Sequence, residues 1–342
     1  MEIKEIEDKN IWEKFLLEYN PGSLFQSWNW GEVQKKASKT QSFKDSKKIW
    51  RLGLFDNKEL EGIAQVVKIT AKRGDFLHVR HGPILSEWKK EYFLFLINYL
   101  KELSKKEKAV FIRVSPLIEN STCHKELVGQ VGFRPAPIHA MDGEYVWILP
   151  LDKTEEELLS GMRKTTRYLV KQAEKLGVEI VNTKDPRDLD KFTKIYRETA
   201  VRQGFVPHLG LKEEFEILSK EDQVILLLGK YQREILSGAM IVFYGNQGIY
   251  HHSASYKQKV PVNYLLQWRA IQEAKKRGMK YYNFWGIAPE GKLRHPWEGL
   301  TTFKKGFGGN LTEYLHAQDL PISSKYMLNW TLETLRRVKK GY

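Results

Sequence analysis

Apolar and polar positions along the chain follow two periods, which separate the predicted helices from the predicted strands. Apolar residues recur at helical spacing in four long segments, residues 10–19, 88–104, 186–203 and 262–276. Short apolar runs bounded by Gly, Pro, Asn or Asp predict strands at residues 50–55, 62–69, 76–81, 109–114, 145–149, 178–182, 224–229, 238–243, 248–253 and 281–286. The chain is therefore predicted to be of the α/β (α+β) class.

Polar residues at the starts of the helical segments predict where the helices begin. Asn10 and Ser27 each precede an apolar helical pattern and are predicted N-caps. Thr154 followed by Glu157 has the spacing of a capping box, in which each side chain bonds the other residue's backbone amide. Two helices are therefore predicted in the charged segment that follows Thr154.

The order of elements repeats at an offset of about 170 to 175 residues. The predicted hairpin at residues 50–69 corresponds to the hairpin at 224–243, and the helix at 88–104 corresponds to the helix at 262–276. We therefore expect two tandem α/β domains, each a mixed, mostly antiparallel sheet flanked by helices. Their expected limits are residues 1–149 and 150–319, and the last helix, within 320–342, is expected to pack back on the first domain.

Composition and charge restrict the classes of protein to consider. The 342 residues are 42% hydrophobic with ten tryptophans, which is ample for folded cores, and no apolar run reaches the ~18 residues of a membrane span. A single cysteine, Cys123, excludes a disulfide framework, and with no signal-peptide pattern the expected location is the cytoplasm. The net charge of +14 favours a basic face that meets nucleic acid, an anionic membrane or a phosphorylated ligand.

The segment from residue 280 to 309 combines apolar, basic and glycine residues in a way that suggests a binding site. A strand leads into a segment rich in Gly, Pro, His and Trp, which ends at Phe303-Lys304-Lys305-Gly306-Phe307-Gly308-Gly309. We expect this end to be an extended loop, in which glycines allow close approach of a ligand and lysines attract an anion. The alternative is a surface loop with solvated lysines.

Four motifs spread over nearly the whole chain carry a resemblance to a known family. They are QSWNWGEVQKK, MRKTTRYLVKQAEKLGVEI, NYLLQWRAIQEAKKRGMKYYNFWGI and GLTTFKKGFGG. The chain resembles the FemABX aminoacyltransferases, which form peptidoglycan bridges, in the form without a long helical arm. The resemblance implies two domains of the GNAT acyltransferase fold and transfer of an amino acid from aminoacyl-tRNA to an amine of a UDP-linked muropeptide or of lipid II.

The resemblance also implies roles for particular residues. Lys304, after Phe303, is the expected catalytic lysine, with Lys305 as the ambiguous neighbour, and it is expected to affect rate rather than folding. The residues expected to bind substrate are Trp30, Lys35, Lys36, His208, Tyr250, His252 and Gly308. The residues expected to bind tRNA lie on one predicted helix, which is otherwise an ordinary solvated helix face, and are Arg163, Lys164, Arg167 and Lys171.

The chain departs from the family pattern at some positions. Ser115-Pro116 stands where many members have Asp-Pro, so a carboxylate proposed to assist proton transfer is absent, and His208, His251 and His252 are alternative hydrogen-bonding groups. The His251-His252 pair has no third ligand at the usual spacing, so no metal site is expected. No cofactor is expected either, because the donor ester is already activated.

The two alternative functions are acyl transfer from another donor and RNA binding without catalysis. An acetyl-CoA-dependent acyltransferase is disfavoured because the turn SYKQKVPVNYLLQW has no glycine to hold a pyrophosphate. A non-enzymatic RNA-binding protein agrees with the basic charge, but the chain has no KH, RRM or zinc-finger signature. For the transferase we expect a monomer, with the tRNA 3′ end in the second domain and much of the precursor in the first. A lipid-linked acceptor would imply peripheral contact with the inner membrane surface.

Overall fold

The computed structural model describes residues 1–40, 48–71, 73–139, 143–291 and 295–340. The chain forms two compact units. The first comprises Met1–Tyr145, Ala288–Pro296 and Glu313–Tyr342, and the second comprises Val146–Ile287 and Trp297–Thr312. Domain limits at residues 149 and 319 stay a prediction, and the last two residues of the expected C-terminal segment lie outside the described residues.

The described residues form the helices and strands expected of an α/β chain. The helices are α1 (Lys9–Tyr19), α2 (Trp28–Thr40), α3 (Lys90–Lys106), α4 (Thr122–Gln130), α5 (Glu155–Ser160), α6 (Lys164–Lys175), α7 (Pro186–Gln203), α8 (Leu211–Ser219), α9 (Val262–Lys276), α10 (Glu298–Lys305) and α11 (Tyr326–Lys339). The strands are β1 (Glu2–Glu5), β2 (Ile49–Asp56), β3 (Glu59–Ile69), β4 (Phe76–His81), β5 (Ile84–Leu85), β6 (Phe111–Pro116), β7 (Arg134–Pro135), β8 (Tyr145–Pro150), β9 (Glu179–Thr183), β10 (Val224–Tyr231), β11 (Glu234–Tyr244), β12 (Gln247–Ser255), β13 (Tyr281–Gly286), β14 (Asn310–Glu313) and β15 (Gln318–Pro321). The predicted fold class, two mixed sheets flanked by helices, is confirmed.

The sheet of the first unit has the strand order β1-β2-β3-β4-β6-β15-β7, and β5 also pairs with β3. Neighbouring strands are antiparallel except for β4 and β6, which run parallel. Helix α3 packs on this sheet, because its buried residues Phe93, Leu96, Ile97 and Leu100 recur at helical spacing on one face.

The sheet of the second unit has the order β14-β8-β13-β12-β11-β10-β9. It repeats the plan of the first sheet, with an antiparallel hairpin, a third strand, a helix and a parallel strand. The hairpin turns agree in detail, because Asn57 and Lys58 in one and Gln232 and Arg233 in the other all have positive φ. Two successive residues of this conformation are typical of a type I′ turn.

The two units differ in how long their parallel strands remain paired. In the first unit, β4 and β6 pair over six positions, from Phe76–Phe111 to His81–Pro116. In the second unit, the pairs recorded between β12 and β13 are Gln247–Tyr281, Gly248–Tyr282 and Ile249–Asn283. Both of these strands lie wholly within the described residues, and their remaining residues, Tyr250–Ser255 and Phe284–Gly286, are unpaired with each other.

Two of the three predicted caps are confirmed. Ser27 Oγ accepts from the backbone amide of Trp30 (3.2 Å) at the start of α2, and Thr154 with Glu157 forms the expected capping box of α5. The prediction for Asn10 is wrong. Asp8 caps α1 instead, because its carboxylate accepts from the backbone amides of Asn10 (2.7 Å) and Ile11 (3.4 Å).

The expected extended loop around Lys304 is also wrong, because residues 298–305 form helix α10. Glu298 lies in its first turn and Lys304 and Lys305 in its last, which is favourable for the helix dipole. Phe303 packs against Phe307 (5.2 Å between ring centroids) and Tyr264 (5.1 Å), so the apolar residues that suggested a ligand site also fix the helix.

Among the residues that the structure describes, each helix is too short or too polar to cross a lipid bilayer.

Gly309 provides a test of the fold next to the candidate site. It has φ of 101°, and a Cβ atom there would lie 2.5 Å from the carbonyl oxygen of Ile148 in the neighbouring strand. We expect Gly309→Ala to lower the free energy of unfolding by about 2 kcal/mol or more, because both backbone strain and a backbone clash oppose it. Urea unfolding of the purified variant measures this.

Gly299→Ala is the matched control for this substitution. Gly299 lies in α10, and a Cβ atom there has nothing within 4 Å. Since alanine favours helix by up to about 1 kcal/mol over glycine, this variant should be as stable as the wild type or more stable. Equal stability of Gly309→Ala and Gly299→Ala would show that the close approach of Gly309 to Ile148 is incorrect.

Candidate active site

Lys304 is a buried lysine at the C-terminal end of α10. Its side chain is only 4% exposed, and Nζ donates to the backbone oxygen of Gly286 at 2.6 Å. Burial disfavours the charged amine and lowers its pKa to about 7. The expectation of a lysine displayed on a loop is therefore wrong, because the amine is enclosed within the second unit. Its expected small influence on folding stays a prediction.

The oxygen that accepts from Lys304 belongs to the irregular end of β13. Trp285 has φ of 67°, a rare conformation for a bulky residue, directly before Gly286. Asn283 stabilises this bend, because its Oδ1 accepts from the backbone amide of Trp285 (2.8 Å) and its Nδ2 donates to Gln247 Oε1 (2.9 Å). The position of the Lys304 amine is therefore tied to the place where β12 and β13 separate.

Lys305 and Gly308 both contact Trp147 on β8. The Lys305 amine lies 4.9 Å from the centre of the indole ring, and the indole Nε1 donates to the backbone oxygen of Gly308 at 2.7 Å. Phe303 is partly buried against the core of the unit. Among the predicted catalytic residues, then, Lys304 is enclosed, Lys305 is partly exposed beside an aromatic ring, and Phe303 anchors the helix.

The predicted tRNA-binding helix lies beside this segment. The backbone amide of Arg163, the residue before α6, donates to the backbone oxygen of Gly306 at 2.9 Å. Arg163, Lys164 and Lys171 are exposed. Arg167 differs, because its guanidinium donates to the backbone oxygen of Ser160 (2.6 Å) and so joins α6 to α5. The structure thus brings the start of the basic helix next to the residues that follow Lys304.

Tyr168 is a residue of this surface that the sequence reasoning missed. It is 61% exposed, which is unusual for tyrosine, and it follows Lys164 by four positions and precedes Lys171 by three. These spacings put the three side chains on one face of α6. An aromatic ring between lysines is the pattern found where proteins stack on single-stranded nucleic acid. Its position four residues from Lys164 was a usable signal in the sequence.

Three histidines surround a buried carboxylate in the same unit. Glu214 on α8 is fully buried, and its carboxylate lies 3.1 Å from His251 Nε2, 3.1 Å from His252 Nε2 and 3.7 Å from His208 Nε2. Burial alone would raise the pKa of Glu214, but His251 and His252 more than offset this and hold it well below its ordinary value. His251 also contacts Trp285 edge-to-face at 5.7 Å. The structure therefore groups the predicted residues His208 and His252 around Glu214, which the sequence reasoning did not identify.

Tyr250 lies on β12, two residues before His252. It is partly buried against the core of the second unit, and desolvation raises the pKa of its hydroxyl to about 12. The hydroxyl therefore stays protonated through the physiological range, and it is within hydrogen-bond contact of Ser253.

The predicted acceptor-binding residues of the first unit have different surroundings. Trp30 is only 3% exposed and packs against Phe25 (4.6 Å between ring centroids), so it lies in the core of the unit, and its role in substrate binding stays a prediction. Lys35 Nζ is 3.0 Å from Glu32 Oε1, and the same carboxylate oxygen accepts from Arg51 Nη2 at 2.8 Å. Lys36 is partly exposed.

The family model described as the FemAB family matches residues 8–130, 140–209 and 211–334. These matches cover most of the chain, in order and across both compact units. The chain belongs to the FemAB family.

A curated relative and two solved structures of other proteins resemble this FemAB-family protein over nearly their whole length. A relative named lipid II:glycine glycyltransferase, from Staphylococcus epidermidis, is 22% identical over 94% of this chain and 91% of its own. The crystal structure of FemX superposes with a TM-score of 0.80 at 20% identity, over 97% of this chain and all of its own. A tandem GNAT protein from the clavulanic acid biosynthesis pathway has a TM-score of 0.55 at 8% identity, covering 94% and 99%. The tandem GNAT-like fold that the sequence predicted is thereby confirmed.

Lys304 makes the stability of the FemAB-family protein depend on pH in a defined direction. Its pKa in the folded protein, about 7, is below the ordinary value of 10.5. Between these values the unfolded chain holds a proton on this amine that the folded protein lacks, so stability rises with pH above 7 and is lowest below 7. We expect the free energy of unfolding to rise about 2–3 kcal/mol more for wild type than for Lys304→Met between pH 6 and pH 9.

Chemical denaturation at several pH values measures this difference. Lys305→Met is the control, because its amine is partly exposed and its curve should follow that of the wild type. Parallel stability curves for wild type and Lys304→Met would mean that the Lys304 amine is solvated.

Proposed function

We propose that this FemAB-family protein transfers an amino acid from aminoacyl-tRNA to an amine of a peptidoglycan precursor during interpeptide bridge formation. The observation that carries the proposal is family membership over nearly the whole chain, with relatives named lipid II:glycine glycyltransferase that align to 94% of it. The reaction is attack of a neutral amine on an activated ester through a tetrahedral oxyanion. The protein then has to align two substrates, stabilise the oxyanion and accept a proton.

Lys304 is suited to stabilise negative charge in this reaction. With a pKa of about 7, the amine of Lys304 is about half protonated at neutral pH. A 3′-terminal phosphate or a developing oxyanion beside it would favour the charged form and raise that pKa. Because the amine is enclosed, the attraction would act in a medium of low dielectric constant and be stronger than in water.

The neighbouring helix α6 supports binding of the tRNA 3′ end by the second unit. Its Arg163 amide bonds Gly306, two residues after Lys304, so a strand lying along Lys164, Tyr168 and Lys171 would lead toward the buried amine. Lysines would meet phosphates and the tyrosine ring would stack on a base.

For the acceptor we propose that Lys35 and Lys36 of the first unit meet the pyrophosphate of the precursor. Lys35 is already paired with Glu32, so an arriving pyrophosphate competes with that carboxylate. Arg51 keeps Glu32 paired when Lys35 turns to the ligand. The precursor is a UDP-linked muropeptide or lipid II, the latter with peripheral contact at the inner membrane surface. We place the reaction in the cytoplasm, where charged tRNA is found, with the protein as a monomer.

An acetyl-CoA-dependent reaction has less support from the structure. The turn between β12 and α9, residues 256–261, holds two lysines and a proline but no glycine, and α9 begins after Pro261 without a side-chain cap. A pyrophosphate needs close approach to backbone amides at such a helix start, and no glycine is present to allow it.

Reconstitution with charged tRNA and each acceptor, followed by mass spectrometry of the product, tests the proposal. We expect Lys304→Met to lower kcat by ~10²–10³, as removal of a group that stabilises an oxyanion does. Lys305→Met should lower it much less, because that amine lies over the Trp147 ring rather than inside the unit. No product with glycyl-, alanyl-, seryl- or leucyl-tRNA and either acceptor would refute aminoacyl transfer, and equal losses in both variants would remove the special role of Lys304.

The α6 surface has a test of its own. We expect Tyr168→Ala to weaken binding of charged tRNA by about 5- to 100-fold, the equivalent of one lost base–aromatic stack of ~1–3 kcal/mol, with little change in salt dependence. Lys164→Glu and Lys171→Glu should weaken binding and reduce the slope of log K against log salt by about one each. Titration of tRNA at several salt concentrations measures both effects.

Lys90→Glu is the control for these substitutions, because Lys90 is an exposed lysine at the start of α3 in the first unit and the change in charge is the same. If Lys90→Glu weakens tRNA binding as much as Lys164→Glu does, the affinity depends on the net charge of the protein and not on a contact with α6.

A further inference from the structure

A cluster of metal-ligating side chains in the second unit surrounds the buried carboxylate of Glu214. His208 lies in the segment between α7 and α8, Glu214 lies on α8, and His251 and His252 lie on β12. One ligand atom each from His208, Glu214 and His252 lie within 4.8 Å of one another. We propose that His208, Glu214 and His252 bind a divalent transition-metal ion of the zinc class.

The distances between these atoms suit a single ion. Glu214 Oε2 is 3.1 Å from His252 Nε2 and 3.7 Å from His208 Nε2. Zinc bonds of about 2.0–2.1 Å to nitrogen and oxygen in a tetrahedral arrangement put neighbouring ligand atoms about 3.3 Å apart. The observed distances lie on both sides of this value, so an ion fits with only small movements of the side chains.

The burial of Glu214 supplies an independent reason for a cation. Its side chain is 0% exposed, and buried carboxylates are either paired with positive charge or coordinate metals. Among the residues that the structure describes, the ion pairs of Glu214 are with His208, His251 and His252 rather than with lysine or arginine. Metal-bound imidazoles are neutral, so a divalent ion in this cluster supplies the charge that balances the carboxylate.

The surrounding residues fix the orientation of the three ligands. His251 Nε2 lies 3.1 Å from the other carboxylate oxygen, Glu214 Oε1, which leaves Oε2 for the ion. The backbone amide of His208 donates to the Tyr196 hydroxyl at 3.4 Å, and the Tyr196 ring packs edge-to-face against His252. Contacts of this kind around the ligands are common in metal sites, where they set the direction of each ligand.

The turn between His208 and Glu214 has the conformation that the site needs. Gly210 has φ of 104° at the N-cap position of α8, which reverses the chain and directs Glu214 and His208 toward the same place. His208 remains 35% exposed, so the ion has a path from solvent. Three protein ligands leave one tetrahedral position for water or another oxygen ligand.

Two imidazoles and one carboxylate also indicate which ions would bind. Imidazole nitrogen suits zinc, iron, copper and nickel, whereas magnesium and calcium prefer oxygen ligands. The probe is therefore Zn²⁺, with Mg²⁺ in excess as a competitor that should not displace it.

The test measures zinc binding by the full chain, prepared without a polyhistidine tag and freed of metal by a chelator. Competition with a chromogenic chelator gives stoichiometry and affinity. We expect one tight zinc per chain, unaffected by millimolar Mg²⁺. His208→Ala should weaken binding by more than about 100-fold, since loss of a residue that only supports a ligand already costs 10- to 100-fold.

His124→Ala is the matched control. His124 lies on α4 in the first unit, where its ring bonds Ser121 and the backbone oxygen of Glu119, and its loss should not change zinc affinity. His252→Gln is a second ligand variant that retains a polar side chain of similar size, and circular dichroism establishes that each variant is folded. Because neither tRNA nor precursor is present, the result is independent of the proposed transferase reaction.

Two results would overturn the metal site. One is a zinc content near zero with affinity no better than that of the His208→Ala variant. The other is tight zinc binding that His208→Ala and His252→Gln leave unchanged, which would place the ion elsewhere. In either case the cluster would be a group of three imidazoles around a buried carboxylate, without a metal ion.

Discussion

The separation of β12 and β13 after three residue pairs is the constraint on which the candidate site depends. From Ile249 and Asn283 onward the two strands no longer share hydrogen bonds with each other. Backbone groups beyond the last pair then take other partners: the Trp285 amide donates to the side-chain oxygen of Asn283, and the Gly286 oxygen accepts from the Lys304 amine. On the other strand, beyond the last pair with β13, His251 and His252 lie beside Glu214. The first unit keeps its parallel strands paired to their ends and has no equivalent opening between them.

Two buried cations differ in whether carboxylates neutralise their charge. Arg113 in the first unit donates to both oxygens of Asp319 and also pairs with Glu333. Burial alone would lower the pKa of Arg113, but these two carboxylates raise it, so its charge is permanent and neutralised. The buried amine of Lys304 donates to the neutral carbonyl oxygen of Gly286, and burial lowers its pKa to about 7. Loss of one partner of the Arg113 pair would leave a buried charge uncompensated, whereas the Lys304 amine has its protonation set by burial.

Most of the regular elements could be predicted from the sequence because local pattern determines them. Helices at 186–203 and 262–276 and strands at 76–81 and 281–286 have the predicted limits, and the two hairpins agree in their turns. Helix α10 was missed because the residues that follow it are rich in glycine. The helix forms nonetheless, because Glu298 in its first turn and the lysines in its last turn interact favourably with the helix dipole. The burial of Trp30 had no local signal, since it depends on packing against the rest of its unit.

The chemistry of the site was harder to predict, because it arises from contacts distant in sequence. Lys304 was selected correctly as an unusual lysine, but its enclosure depends on Gly286, eighteen residues earlier. Glu214 and His252 are 38 residues apart, and no ligand spacing in the sequence joins them. The three histidines were visible as separate polar residues, and only the fold shows that they share one carboxylate.

The position of β15 has a consequence for how the protein is made. This strand pairs with β6 in the first unit, and Asp319 reaches Arg113 across 206 residues of sequence. Every residue of the second unit, the last of which is Thr312, is synthesised before β15. Domains usually complete their folding from the N-terminus onward as the ribosome releases them. Here the order of synthesis differs: the sheet of the unit that begins the chain gains β15 only after every residue of the other unit has been synthesised, so β6 lacks this neighbour throughout that interval.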